Sequence, residues 1–284
     1  MVCTRGRPAQ LAVTLDALER EAAGRFPLLV VDQSDEPDPG LDGRELHVIR
    51  DTGRGLSRAR NVGLANSTGR WVAYVDDDCT VEPGFGSALV AALEAHAEAD
   101  WVAGHVGAGD HAESDLPVVT TFPVTEERTR RGPWTLPGSI GFGVLFVVKR
   151  ETAVQLGGWD ERLGPGVPRF PAADDMDFNH RLLRAGGTAV LTPSVRAVHR
   201  QWRSPEELVA LNRGYLRAWT GFAAKQARSG HPLVGAWLWA WGLIDIADMA
   251  ASAVSRRSRV RGRIAGSKLA GLVEGSVAGL ARKW

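Results

Sequence analysis

One feature constrains this chain above the rest: an apolar strand that runs straight into charge, Arg70-Trp-Val-Ala-Tyr-Val-Asp-Asp-Asp-Cys79. Trp71 to Val75 is a continuous apolar run, the pattern of a strand covered on both faces. Ligands in open α/β sheets bind at the carboxyl ends of such strands. Asp76, Asp77 and Asp78 are therefore expected at the mouth of a ligand crevice. Adjacent carboxylates repel one another unless something positive sits among them, and a hard divalent cation is the usual answer. The competing reading, a solvated acidic turn, gives no reason for a buried strand to be aimed at it.

The chain around this stretch alternates strand and helix. Met1 to Cys3 is the stub of a strand, and Pro8 starts a helix to about Ala22. Phe26 to Val31 is a second strand ending at Asp32, and Leu46 to Ile49 a third. A helix over Gly55 to Ala65 precedes the central strand; a helix from Gly84 to His96 and a strand from Trp101 to Val106 follow it. Such alternation predicts a doubly wound, mostly parallel sheet. The polar span His111 to Pro137 reads as loops, and Gly141 to Val148 as an apolar run opened by glycines, where backbone can approach a ligand closely. Gly157-Gly-Trp-Asp-Glu161 reads as a tight turn, Gly164 to Pro171 as a mobile loop, and Asp174-Asp-Met-Asp177 as the opening of a helix. Val190-Leu191 and Val195 to Val198 are two short strands, the second ending at His199.

At 284 residues the chain can bury a sizeable core, as one large domain or one domain with an appendage. A net charge of +1 implies no general pull toward nucleic acid, which is not an expected partner. The two cysteines, Cys3 and Cys79, suggest no disulfide framework and fit a reducing compartment, and no secretory signal is read at the start.

Seven motifs then fall in one order: Cys3-Thr-Arg-Gly-Arg-Pro8, Val30-Val-Asp32, Gly55-Leu-Ser-Arg-Ala-Arg-Asn61, the Asp76–Asp78 run, Gly157-Gly-Trp-Asp-Glu161, Asp174-Asp-Met-Asp177 and His199. Over roughly Met1 to Trp202 this order resembles the family 2 glycosyltransferases of the GT-A fold. The resemblance implies a Rossmann-like α/β domain over 1–204, with a nucleotide-sugar half to about 106 and an acceptor half beyond it. Two departures stand out. The first strand is cut short, which raises the expectation of a start codon further upstream, and Asp174-Asp175 stands where the family usually has Glu-Asp.

Sugar transfer from a nucleotide diphosphate needs the leaving diphosphate neutralised, which Mg²⁺ or Mn²⁺ does as a Lewis acid. Asp76 and Asp78 fit that role, with Asp77 reaching the ribose or the metal. The resemblance adds His199 as a further metal or phosphate contact; alone, a histidine after a strand is more often structural. An inverting transfer also needs a base for the acceptor hydroxyl, and Asp175 matches the family's position for it. The competing reading has Asp174, Asp175 and Asp177 only capping a helix. Thr4 and Asp32 end strands where the family's base and ribose contacts lie. Arg58, Arg60 and Asn61 open a helix near phosphate or ribose, or are surface groups. Trp159 and Asp160 resemble an acceptor-side wall, with a core tryptophan as the alternative.

The implied donor is a UDP-, GDP- or dTDP-type sugar, and the implied acceptor a cell-surface glycan, glycolipid or lipid-linked hydroxyl. Two other classes stay open. A sugar-phosphate nucleotidyltransferase would carry a longer Gly-rich loop than Thr4-Arg-Gly-Arg-Pro8, and a non-catalytic nucleotide-sugar-binding protein would not need Asp76, Asp78 and Asp175 together.

Residues 205–284 lie outside the resemblance and read as a helical, Trp-rich and basic extension. Pro205 to Arg228 is a helix, and Pro232 to Ile244 an apolar stretch too short to span a bilayer, ended by Asp245 and Asp248. Arg256-Arg-Ser-Arg-Val-Arg-Gly-Arg263 is a basic cluster. Apolar, Trp-rich segments beside basic runs suit a helix in a membrane interface. A peripheral site on the cytosolic face of a membrane is expected, with packing on the domain or a homodimer as the alternative.

Overall fold

The computed structural model describes residues 1–109 and 120–281, which gather into two compact units. Among the described residues the first comprises 1–109, 120–160 and 175–201, and the second 161–174 and 202–281. Part of the loop expected over His111 to Pro137 lies outside the described residues.

In the first unit, β1 (Val2–Thr4), β2 (Leu29–Asp32) and β3 (His47–Arg50) form a parallel sheet in that order. Parallel strands need crossovers, and α1 (Pro8–Ala22) makes the first of them. Pro8 suits the first helical position, where its missing N–H has no partner to lose. Leu11, Leu15, Leu18 and Ala22 recur at helical spacing and are buried. α2 (Leu56–Ala65) leads from β3 to β4 (Trp71–Val75). β4 joins β1 through the Met1 amine to Ala73 O (2.7 Å) and Val75 N to Met1 O (3.1 Å).

β4 also heads a second sheet in the order β4-β8-β6-β9-β5, made with β8 (Leu145–Lys149), β6 (Trp101–Ala108), β9 (Thr188–His199) and β5 (Cys79–Val81). β7 (Arg128–Arg131) pairs with β9 from outside that path. β6 and β9 run parallel, while β8 is antiparallel to both β4 and β6, and β5 to β9. α3 (Phe85–Ala95), α4 (Arg150–Gln155) and α5 (Asp174–Arg184) complete the inventory. The expected α/β class holds, with parallel pairing in β1-β2-β3 and β6-β9; the antiparallel pairs enter with β5, β7 and β8. Two core clusters result, one holding Leu15, Val30, Phe85 and Val102. The other is an aromatic group of Tyr74, Trp101, Phe146, Trp159 and Phe178.

The two strands expected after Gly187 are one strand, β9. Its pairing with β6 shifts between Ala103↔Leu191 and His105↔Arg196, and Pro193 falls inside that irregularity. Proline lacks a ladder donor, and a bulge is where a strand tolerates it.

The second unit is built on α6 (Pro205–Arg228), α7 (Pro232–Ser255) and α8 (Arg259–Leu280). Ser204 and Glu207 form a capping box at the start of α6, with Pro205 at the first position. The extension expected from 205 therefore starts slightly earlier and also takes in 161–174. Phe170 explains why: a Cβ at Gly221 of α6 would fall 2.3 Å from its ring. α7 corrects a further expectation. The apolar stretch over Pro232 to Ile244 is the first part of a longer helix that runs past Asp245 and Asp248 to Ser255, with Lys268 holding Asp245 at 2.7 Å.

Candidate active site

Two backbone registers and one side-chain hydrogen bond assemble the acidic run. The β4–β8 ladder continues past Val75↔Leu145 as Asp76 N donates to Val144 O (3.0 Å), fixing the Phe142–Val144 segment beside Asp76. The β5–β9 register sets Cys79 opposite His199, and Arg200 N donates to Asp78 O (3.1 Å). His199 is thereby brought back 121 positions in the chain to Asp78: its Nε2 lies 3.1 Å from Asp78 Oδ1, and its Nδ1 meets Thr120 O at 2.9 Å. Thr14 of α1 donates to the Asp77 carbonyl at 2.9 Å, which anchors the run to the first helix.

Each carboxylate has its own cationic neighbour. Arg60 Nη2 lies 3.6 Å from Asp76 Oδ1, and Arg7 Nη1 donates to Asp77 Oδ1 at 2.8 Å. Asp78 faces His199, with Arg7 at 3.7 Å. Asp77 and Asp78 are buried, whereas Asp76 keeps 29 % of its side chain in solvent. Burial pushes the Asp76 carboxyl up to about 7, with Arg60 opposing and the neighbouring Asp78 and Asp77 adding to it. Burial likewise raises Asp77, against Arg7 and the Thr4 hydrogen bond. Burial would lower His199, but the Asp78 hydrogen bond and charge prevail and raise it above its ordinary value.

Asp78 and His199, with the partly open Asp76 beside them, are hard oxygen and imidazole donors, a set that suits Mn²⁺ or Mg²⁺. Cys79 Sγ lies within 4.8 Å of the Asp78 and His199 donor atoms. Burial holds the Cys79 thiol well above its usual range, and the group sits within the apolar core. A thiol that resists ionisation is a poor ligand for a hard ion, so the residues that could hold such an ion are Asp78 and His199, with Asp76 two positions away in the same run.

Asp175 meets the same ground from the other side. Gly143 N donates to Asp175 Oδ2 (2.8 Å), while Arg60 Nη2 donates to Gly143 O (2.8 Å). One peptide segment thus links the Arg60–Asp76 pair to Asp175. Glycine is needed there, since a Cβ at Gly143 would lie 2.7 Å from the Arg60 guanidinium. Asp175 Oδ1 also accepts from Met176 N (2.7 Å). A carboxylate oxygen carries two lone pairs, so both oxygens keep acceptor capacity. Asp177 is buried and pairs with Arg181 at 2.8 Å, a structural role within α5.

Other expected site residues are placed differently. Asn61 is not turned to a nucleotide: its Oδ1 accepts from Trp159 N (2.8 Å) and its Nδ2 donates to Trp159 O (3.0 Å). Trp159 is not an open wall but 2 % exposed, stacked on Phe178 at 4.5 Å and tilted against Tyr74 at 4.9 Å. Asp160 is half-buried beside it. Thr4 Oγ1 donates to Asp77 Oδ2 at 2.8 Å, so these two are joined to each other and to Arg7. Asp32 is fully buried, accepts from Ser34 N at 2.8 Å and pairs with Arg50. Arg60 is buried with its guanidinium 5.3 Å from the Phe146 ring centroid, a positioning group for Asp76 and Gly143. Arg58 closes on Asp51 instead, at 2.9 Å. Arg7 was missed from the sequence; the signal was a cation one short loop past the first strand, facing an acidic run.

The glycosyl transferase family 2 model matches residues 1–153. A curated relative, an uncharacterized glycosyltransferase of Haemophilus influenzae, is 22 % identical over 188 residues. The match covers 65 % of this chain and 61 % of the relative. Among solved structures, the mannosyltransferase PcManGT from Pyrobaculum calidifontis, in complex with GDP-Man and Mn²⁺, shares the fold at a TM-score of 0.60. It is 19 % identical, with 96 % of this chain and 85 % of that chain covered. The expected GT-A architecture is thus found in this chain, and with the family model spanning more than half its length, the chain belongs to glycosyl transferase family 2.

Proposed function

We propose that this chain is an inverting glycosyltransferase that moves a sugar from a nucleotide-diphosphate donor to a hydroxyl acceptor with a divalent cation bound. The observation that carries the reading is the Phe142–Val144 segment, which ties the acidic run at β4 to Asp175 through Arg60, Gly143 and the Asp76 amide. Family membership supports the reaction class, and a fold shared with a protein solved with GDP-Man and Mn²⁺ is consistent with it.

The donor nucleotide lies at the carboxyl ends of β1, β2 and β4, the edge marked by Thr4, Asp32 and Asp76. Asp78 and His199, with Asp76, would hold a Mn²⁺ or Mg²⁺, which when bound would supply Lewis-acid neutralisation of the leaving diphosphate. Arg60 holds the Asp76 carboxylate and the Gly143 carbonyl in place. Asp175 takes the proton of the acceptor hydroxyl as that oxygen attacks the anomeric carbon from the face opposite the diphosphate. The Gly143 and Met176 amides fix the direction of its lone pairs. The acceptor is a glycan or lipid-linked hydroxyl.

The test is turnover of a panel of UDP-, GDP- and dTDP-sugars, with the product's anomeric configuration read by NMR. Inversion in the wild type, with loss of turnover but retained donor binding in Asp175→Asn, is the expected result. Retention of configuration, or full turnover in Asp175→Asn, removes Asp175 from the role of base.

A further inference from the structure

The second unit carries a surface that sugar transfer does not use. On α7 the exposed positions include a single charge, Asp248, and are otherwise almost wholly apolar. A water-facing helix normally turns its charged face outward; α7 turns out Trp239 (41 % exposed) and Leu243 (40 %) instead. α8 adds Leu269, Val273, Val277 and Leu280, all at least half exposed, at spacings that place them on one face. The two faces are continuous. Trp239 Nε1 donates to Ser276 Oγ at 3.0 Å, and a Cβ at Gly242 would meet Leu272 at 3.4 Å, so the antiparallel helices lie side by side along the patch.

The charge at the turn end of this hairpin has one sign. From Met249 to Val273 the sequence holds Arg256, Arg257, Arg259, Arg261, Arg263 and Lys268 and no acidic residue. Arg256, Arg257 and Arg259 are exposed around the turn that joins α7 to α8.

We propose that the α7–α8 hairpin docks this protein on an anionic lipid surface, its apolar strip in the acyl boundary and its basic turn against headgroup phosphates. Aromatic rings such as Trp239 favour that depth, and apolar area plus basic charge is the pairing that binds such a surface. α7 is long enough to span by length, with a mean hydropathy of 1.3 over its best 18 residues. Its inner face rules against a span. Gly235, Leu238 and Gly242 are buried, Trp219 Nε1 donates to Leu238 O (2.7 Å), and Asp245 pairs with Lys268 in mid-helix. Charge at bilayer depth is costly, and Asp248, exposed on the outer side of α7, would face lipid in a span, so the helix lies along the surface.

The test is co-sedimentation of the full chain with phosphatidylcholine vesicles, with and without phosphatidylglycerol, from about 50 to about 500 mM salt. The expected result is binding that the anionic lipid strengthens and that falls with salt to the residual level also seen on neutral vesicles. Replacing Arg256, Arg257 and Arg259 by Ser should weaken low-salt binding on the order of 100-fold, at about fivefold per arginine. Val273→Asp with Val277→Asp should abolish the residual part; melting curves confirm folding, and the Ser pair replaces the Asp pair if it melts early. Binding indifferent to lipid charge, or none at low salt, overturns the proposal. So does a dimer in light scattering that the Val273 and Val277 variant makes monomeric, since the strip then belongs to a second copy.

Discussion

Asn61 distinguishes a structural bracket from a ligand contact. In Asn61→Ala the main-chain N–H and C=O of Trp159 both lose a partner. Each hydrogen bond contributes about 1 kcal/mol net, and a half-buried group left unpaired costs up to about 1–3 kcal/mol. The sum is about 3 kcal/mol, and at about 2–4 °C per kcal/mol for a chain of this size the melting temperature should fall by about 6–12 °C. Because Trp159 stacks on Phe178 and leans on Tyr74, near-UV circular dichroism should lose amplitude in the same variant. Scanning calorimetry and near-UV spectra measure both effects, and calorimetric titration of UDP, GDP and dTDP supplies the contrast. An unchanged melting temperature with nucleotide affinity weakened tenfold or more would refute the bracket and restore Asn61 as a donor ligand.

Asp175→Asn cannot take the proton, so kcat should fall on the order of 10²-fold or more, while the loss of one of the two amide hydrogen bonds lowers the melting temperature by only a few degrees; Asp177→Asn, losing the pair with Arg181, should lower the melting temperature and leave kcat nearly unchanged. Gly275→Ala would place a Cβ 2.1 Å from Arg217 O of α6. The gain of about 1 kcal/mol in helix propensity should be outweighed by overpacking, for a net loss of about 1–2 kcal/mol by calorimetry. Asp51 gives a pH signature: burial would raise it, but hydrogen bonds from Arg58, Gln33 and Gly53 hold it below its usual value. Its contribution is present above the unfolded carboxylate range near pH 3.9 and lost as pH falls, so the melting difference between wild type and Asp51→Asn should shrink below about pH 4.

The central strand and the helices α1, α2, α3, α5 and α6 were legible because periodicity and caps are local signals. β7 was not: Arg128-Thr-Arg-Arg131 has no apolar pattern, and it is a strand because β9 offers it an edge. β5 is three residues long and has meaning only opposite His199. The repulsion among Asp76, Asp77 and Asp78 was read correctly as a demand for positive charge. Local sequence pointed to a cation alone, yet the fold delivers Arg60, Arg7 and His199 from three distant segments. The case for a bound ion therefore rests on Asp78 and His199 as donors with Asp76 open beside them, and no longer on repulsion. Trp159 and Asn61 were misplaced for a related reason, since a polar amide held against main chain looks in sequence like one turned to a ligand.

The metal assignment is tested most directly by calorimetric titration of UDP, GDP and dTDP into wild type and Asp78→Asn, each with Mn²⁺ and with EDTA. Asp78→Asn retains the size of the side chain, and a melting curve confirms that it folds. Binding of at least one diphosphate by the wild type that needs Mn²⁺, and its loss in Asp78→Asn, is the predicted result. Diphosphate binding that is the same in EDTA, or Mn²⁺-dependent binding that survives in folded Asp78→Asn, would contradict it.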